Sequence, residues 1–205
     1  MVNSGSSANL LMAMALRTYL ELYCDSRRTI LIPAVGWSTS YAPFIQLGFK
    51  VTLIDISLST YNICLDSLLN EISSDVVAVL AINILGNPCP LQKLLDICSQ
   101  NNLFLLEDNC ESLGAQSQGN KGFQKAGSFG VMATHSFFFS HHINTMEGGC
   151  VCTSSSEFAV LLKILRNHGW VRDLDEHDLS AEQSPVLDFV KKCLYDLKKN
   201  ENTEF

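Results

Sequence analysis

The sequence predicts an α/β fold built on a mostly parallel sheet with helices on both faces. Two observations point there. Short apolar runs such as Thr29-Ile30-Leu31-Ile32-Pro33 and Leu103-Phe104-Leu105-Leu106-Glu107 are continuous rather than alternating, the signature of strands covered on both sides. These runs take turns along the chain with stretches of helical period, the order that strand–helix–strand units leave in a sequence.

The elements follow in order. Leu10 to Tyr23 is apolar at helical spacing, and Asn3-Ser4-Gly5-Ser6-Ser7 before it offers side-chain oxygens to cap a helix start. Thr29–Pro33 reads as a buried strand, Ser38–Leu47 as a helix stopped at Gly48, and Val51–Asp55 as the next strand. A helix over Leu65–Ile72 leads to a strand over Val76–Ile84, and a helix over Leu91–Gln100 to the strand Leu103–Glu107. Val131–Phe137 and Cys150-Val151-Cys152 are later strands, and Phe158–Arg166 is a helix. The composition changes after Gly169. Asp173–Ser184 is acidic and polar, Val186–Lys199 has a helical pattern, and Asn200–Phe205 is expected to fray. No internal repeat is present.

With 205 residues, the chain is long enough for one α/β domain with a real core. Hydrophobic residues at 47% against 17% charged exclude disorder over most of the length. A net charge of -7 without a basic run gives no support for nucleic-acid binding. Met1-Val2-Asn3-Ser4-Gly5 lacks the basic and then apolar start of a signal peptide. The best apolar run, Val76–Leu85, is interrupted by Asn83 and too short to span a bilayer. A soluble, cytoplasmic protein with no membrane partner is expected.

Cysteines at 24, 64, 89, 98, 110, 150, 152 and 193 include no C-x-x-C pair. Most lie in apolar segments, so buried, reduced thiols are expected, with no zinc or iron–sulfur site. Cys150 and Cys152 would point to the same face of a strand.

Four segments bear on chemistry. Asn3-Ser4-Gly5-Ser6-Ser7-Ala8-Asn9 opens a helix, and a helix N-terminus presents free N–H groups and a positive dipole end to a phosphate; on its own it is equally an ordinary cap. Pro33-Ala34-Val35-Gly36-Trp37-Ser38-Thr39 brings a flat ring suited to stacking, or to a plain core. Leu105 to Ala115 places Glu107 and Asp108 at the carboxyl end of a buried strand, the usual ligand rim. An acid there is costly unless paired, and the two could simply cap the strand. Last, Ser136-Phe137-Phe138-Phe139-Ser140-His141-His142-Ile143-Asn144-Thr145-Met146-Glu147-Gly148-Gly149 reads as an apolar strand followed by a His-bearing turn.

Taken together, from about Val2 to Asp173, these segments resemble the DegT/DnrJ/EryC1/StrS family of pyridoxal phosphate (PLP) sugar aminotransferases. The family pattern around the last segment is roughly Ser-Phe-x-x-x-Lys-x-x-x-x-x-Glu-Gly-Gly. Here His141 fills the lysine slot, as in the family's histidine-bearing branch. An imidazole forms no Schiff base with an aldehyde but moves protons near neutral pH. The change argues against ordinary transamination and for an elimination.

The resemblance implies an aspartate-aminotransferase-like large domain (fold type I) over residues 1–173, lacking the C-terminal small domain. Residues 174–205 then form a divergent helical or disordered tail. It implies PLP and pyridoxamine phosphate (PMP) as cofactors. Gly5, Ser6 and Ser7 would hold the phosphate with Ser136 nearby, Trp37 would stack on the ring, and Asp108 would meet the pyridine nitrogen. Glu111 falls beside the ring's phenolic oxygen, and His141 is the acid/base. Asn83, in Asn83-Ile84-Leu85-Gly86-Asn87-Pro88, resembles a position near substrate. The implied reaction is 3-dehydration of a nucleotide-linked 4-keto-6-deoxyhexose, GDP-4-keto-6-deoxymannose-like, with glutamate as amino donor, in deoxysugar and surface polysaccharide synthesis. The implied assembly is a homodimer at full length. Three other readings stand beside it: a truncated, inactive remnant of the fold; a sugar aminotransferase using another lysine such as Lys121 or Lys125, both in a polar loop upstream of the expected slot; and a Rossmann nucleotide binder. The last lacks a G-x-G-x-x-G after any strand.

Overall fold

The computed structural model describes residues 1–171, 174, 178 and 184–201. Most of the acidic segment expected over 173–184, and residues 202–205 of the expected frayed end, lie outside the described residues. Helix α1 (Gly5–Leu22) opens the fold, with Ser4 as its cap: the Ser4 Oγ accepts from the Ser7 N–H at 3.1 Å. Then come β1 (Thr29–Pro33), α2 (Ala42–Gln46), β2 (Lys50–Ile54), α3 (Leu65–Glu71), β3 (Val76–Ile82), α4 (Leu91–Gln100) and β4 (Phe104–Asp108). A hairpin of β5 (Gln116–Gly119) and β6 (Gly122–Lys125) precedes β7 (Met132–Ser136) and β8 (Gly149–Thr153). Helices α5 (Ser156–Arg166) and α6 (Pro185–Glu201) complete the described elements.

Six strands form one sheet in the order β2-β1-β3-β4-β7-β8. All neighbours are parallel except β8, which runs antiparallel to β7 with His135 opposite Cys150 and Ala133 opposite Cys152. Strand β3 is buried along its whole length, as its unbroken apolar sequence requires.

Alternation along the strands separates two cores. Ile30, Ile32, Leu80, Leu106 and Met132 face α1, α5 and α6; Val186, Leu187 and Val190 of α6 are fully buried in that cluster. Leu31, Val79, Ala81 and Leu105 face α3 and α4 with Leu68, Leu91 and Leu94. No helix among the described residues is long and apolar enough to cross a membrane.

Three expectations are corrected. The helix expected over 38–47 is broken into a 3-10 turn (Ser38–Ser40) and α2. Pro43 near the start of α2 has no N–H to bond back into the preceding turn. The polar stretch 116–125 is a hairpin, not a loop; the buried Ser117 Oγ donates to the Cys89 carbonyl and pins it. Only Cys89 and Cys98 are buried among the eight free thiols; Cys24, Cys64 and Cys110 sit at element ends, Cys150 and Cys152 on the edge strand, and Cys193 is half-buried on α6.

Candidate active site

Where the parallel strands end, on the α1 side of the sheet, a cavity of about 400 Å³ opens. Gly5, Ser6, Trp37, Asp108, Glu111, Ser136 and His141 all line it. They come from four separate segments of the chain, and the sheet brings them together.

The start of α1 forms one wall. The Ser7 N–H is taken by the Ser4 Oγ and the Ala8 N–H by the Ser4 carbonyl. The remaining first-turn amides, of Gly5 and Ser6, belong to residues that line the cavity. Ser7 does not line it, and its amide is taken up by the cap. Glycine is required at 5: a Cβ there would stand 2.6 Å from the Ser136 Cβ and 2.9 Å from the Cys110 Sγ. Gly149 is equally constrained, since a Cβ would collide with the Ser4 carbonyl. The Glu-Gly-Gly turn therefore clamps β8 against the helix start.

Asp108 forms the floor. Its Oδ2 accepts from Asn9 Nδ2 at 2.9 Å and from Ser40 Oγ at 2.7 Å, and its Oδ1 from the Cys110 N–H at 3.1 Å. Thr134 Oγ1 donates to Asn9 Oδ1 at 2.7 Å and so orients the amide. All three supporting side chains are buried. This is how a carboxylate can stand at the end of a covered strand: its desolvation is offset by fixed donors. Burial, and then the Asp108 charge, push the Cys110 thiol up, so it lines the cavity as a neutral group.

Trp37 stands at the opposite wall with 68% of its surface exposed, which rules out the plain core reading. Ser6 Oγ reaches Thr39 Oγ1 at 3.2 Å and ties that wall to α1. Glu111 is held by the Leu85 N–H, 2.7 Å from its Oε2, and Leu85 itself has a positive φ of 52°. His141 lies in the turn after β7, its N–H donating to the Phe138 carbonyl at 2.9 Å. Its Nδ1 is buried without a hydrogen-bond partner.

Glu107 points to the other side of the sheet. It accepts from the N–H groups of Gly127, Phe129 and Gly130 at 2.7–2.9 Å. Burial pushes its carboxyl up, and the three amide bonds pull the other way. Asn83 is also structural: fully buried, it donates to Asn109 Oδ1 and accepts from the Cys89 N–H, and it does not line the cavity. Lys121 and Lys125 belong to the hairpin and line no part of the cavity. Sequence reading missed Asn9, Ser40 and Thr134. Only Asn9 carried a signal, a lone amide among Ala8, Leu10, Leu11 and Met12.

An acid on a floor, a flat ring on a wall, a glycine-lined helix start and an unpartnered imidazole nitrogen fit a phosphorylated aromatic cofactor with a basic ring nitrogen. Residues 1–184 match the family described as DegT/DnrJ/EryC1/StrS aminotransferase. A GDP-4-keto-6-deoxy-D-mannose 3-dehydratase of Yersinia pseudotuberculosis is 44% identical over 92% of this chain and 47% of its own length. The E coli GDP-4-keto-6-deoxy-D-mannose-3-dehydratase with bound hydrated PLP superposes with a TM-score of 0.79 at 41% identity, over 89% of this chain and 46% of the other. A GDP-4-keto-6-deoxymannose-3-dehydratase with a trapped PLP-glutamate geminal diamine gives 0.78 at 42% identity, over 85% and 44%. The fold is that of PLP-dependent aminotransferase-like enzymes. The chain spans about half the length of the curated relatives it matches.

Proposed function

The chain belongs to the DegT/DnrJ/EryC1/StrS aminotransferase family, and from that premise we propose that its cavity binds PLP or PMP to remove the 3-hydroxyl of a nucleotide-linked 4-keto-6-deoxyhexose. The sugar is of the GDP-4-keto-6-deoxymannose type, and glutamate supplies the amino group. Residues 1–173 contribute the cofactor-binding part. The observation that carries the reading is His141 on the same cavity as Asp108.

Gly5 and Ser6 bind the phosphate with amides at the positive end of α1, joined by the Ser136 hydroxyl. Trp37 covers one face of the ring. Asp108, fixed by Asn9 and Ser40, keeps the ring nitrogen protonated. With that proton in place, the bound cofactor acts as an electron sink for the carbon next to its amino nitrogen. His141 would be the group that accepts and returns a proton beside the bound cofactor, through Nε2, the ring nitrogen opposite the buried Nδ1. Glu111 orients the phenolic side of the ring and is itself aimed by the Leu85 N–H. Among the described residues no lysine lines the cavity, so these noncovalent contacts would hold the cofactor. A homodimer at full length would give the exposed apolar side chains of Phe139, Ile143 and Met146 a surface to pack against. A nucleotide sugar and glutamate as reactants fit a cytoplasmic setting.

The test is incubation with PLP, glutamate and GDP-4-keto-6-deoxymannose, following 2-oxoglutarate and ammonia. Release of both supports the dehydratase. An amino sugar in place of ammonia would identify an aminotransferase and refute it.

A further inference from the structure

Cys150 and Cys152 stand two residues apart on β8, the edge strand of the sheet, and their Sγ atoms are 3.9 Å apart. Alternation sends Val151 toward the α1-side core and both thiols to the other face. Cys152 is exposed and Cys150 partly so. Burial, and then the neighbouring Cys152, push the Cys150 thiol up to about 11. Two thiolates this close repel, so the pair gives up its second proton readily only to a cation held between the sulfurs.

We propose that Cys150 and Cys152 form a two-thiol clamp for one soft metal ion of the copper(I) type. Distances decide against the competing chemistry. A disulfide needs Cα atoms about 4.4–6.8 Å apart, and residues i and i+2 of a strand stand about 6.6–6.8 Å apart. Such a bond sits at the limit of its range and drags on the strand. A bridging ion does not. At a metal–thiolate bond of about 2.3 Å, two sulfurs on opposite sides of a two-coordinate ion stand about 4.6 Å apart, so the 3.9 Å pair opens by about 0.7 Å through side-chain rotation and leaves the strand as it is.

Ligand number then selects the ion. A structural zinc takes four protein ligands. Among the described residues no group of three or more His, Cys, Asp or Glu is arranged to hold a metal. An ion satisfied by two sulfurs is required, and soft thiolates select copper(I). Uptake involves no oxidation: two S–H bonds break, two S–Cu bonds form, and two protons leave. The thiols lie across the sheet from the cavity, so this inference is independent of the proposed reaction.

Anaerobic titration of the full chain with copper(I) buffered by bicinchoninate reads the site directly. One ion per chain is expected. It should shield Cys150 and Cys152 from N-ethylmaleimide while the exposed Cys24 stays reactive. Cys150→Ser and Cys152→Ser should each weaken uptake by about tenfold or more, the scale on which metal affinity answers to changes around a site. Cys24→Ser should leave it unchanged. Undiminished uptake in Cys152→Ser, loss of uptake in Cys24→Ser, or a two-hydrogen mass loss joining Cys150 to Cys152 in place of bound copper would each overturn the proposal.

Discussion

Glu107 and Asp108 are neighbours on one strand, yet they belong to two different regions of the molecule. Glu107 faces the α3–α4 side, where the amides of Gly127, Phe129 and Gly130 take up its oxygens. Asp108 faces the α1 side, where side chains from α1 and the Ser38–Ser40 turn hold it at the floor of a cavity. The source of the donors separates the two roles. Backbone amides from one short loop make a carboxylate into an anchor for that loop. Side chains brought in from 99 and 68 residues away fix a charge in place while leaving a cavity in front of it. An acid at a strand end is therefore not a site until its partners are known.

The largest effect is expected on the anchor. Glu107→Ala leaves three N–H groups unpaired, all of them on buried or part-buried backbone around the second core. At about 1–3 kcal/mol for each unsatisfied donor, the loss should reach about 3 kcal/mol or more in urea denaturation. A loss under about 1 kcal/mol would mean that the loop does not depend on the carboxylate.

On the site side, Asp108→Asn keeps an oxygen for Asn9 and Ser40 but removes the charge. Stability should change by about 1 kcal/mol, whereas PLP affinity should fall about ten- to hundredfold, the worth of a hydrogen bond to a charged group. Absorbance titration measures the second quantity. Equal losses in fold and affinity would erase the distinction between the two acids.

A pH series sharpens the comparison further. Burial raises the Glu107 carboxyl in the folded state. A raised folded value favours the protonated fold, so this stabilisation is full below the ordinary glutamate range and is lost as pH rises through the raised value. Glu107→Gln cannot titrate. The stability of the parent chain relative to Glu107→Gln should therefore decline from acid pH toward neutral, and a rise over that interval would contradict the assignment. The smallest effect belongs to Ser7→Ala. Its side chain lies outside the cavity, so PLP affinity should stay within about twofold and stability within about 0.5 kcal/mol.

How much of this was legible in the sequence depends on the range of the interaction. The parallel strands showed as unbroken apolar runs because burial on both faces acts on every residue of a strand. Asp108, Trp37 and His141 were legible as motif positions within short segments. The supports of Asp108 were not. Ser40 and Thr134 become its neighbours only when the Ser38–Ser40 turn and β7 are set beside β4, and nothing local marks them. The hairpin Gln116–Lys125 was hidden for a similar reason. Its strands are polar and gain their place from Cys89 and α4 rather than from an apolar pattern of their own. Ser7 looked like its neighbours Gly5 and Ser6 in sequence, and only the cap geometry set it apart.

The central proposal is a cavity that holds a vitamin B6 cofactor without a lysine. The direct test is to mix the chain with one equivalent of PLP, record the absorbance shift, reduce with borohydride and map the peptides by mass. The predicted result is a bound chromophore that titrates, needs about ten- to hundredfold more PLP in Asp108→Asn, and leaves no stoichiometric reduced adduct on Lys121, Lys125 or any other lysine. A reduced phosphopyridoxyl-lysine at one site, or no absorbance shift at all, would contradict it.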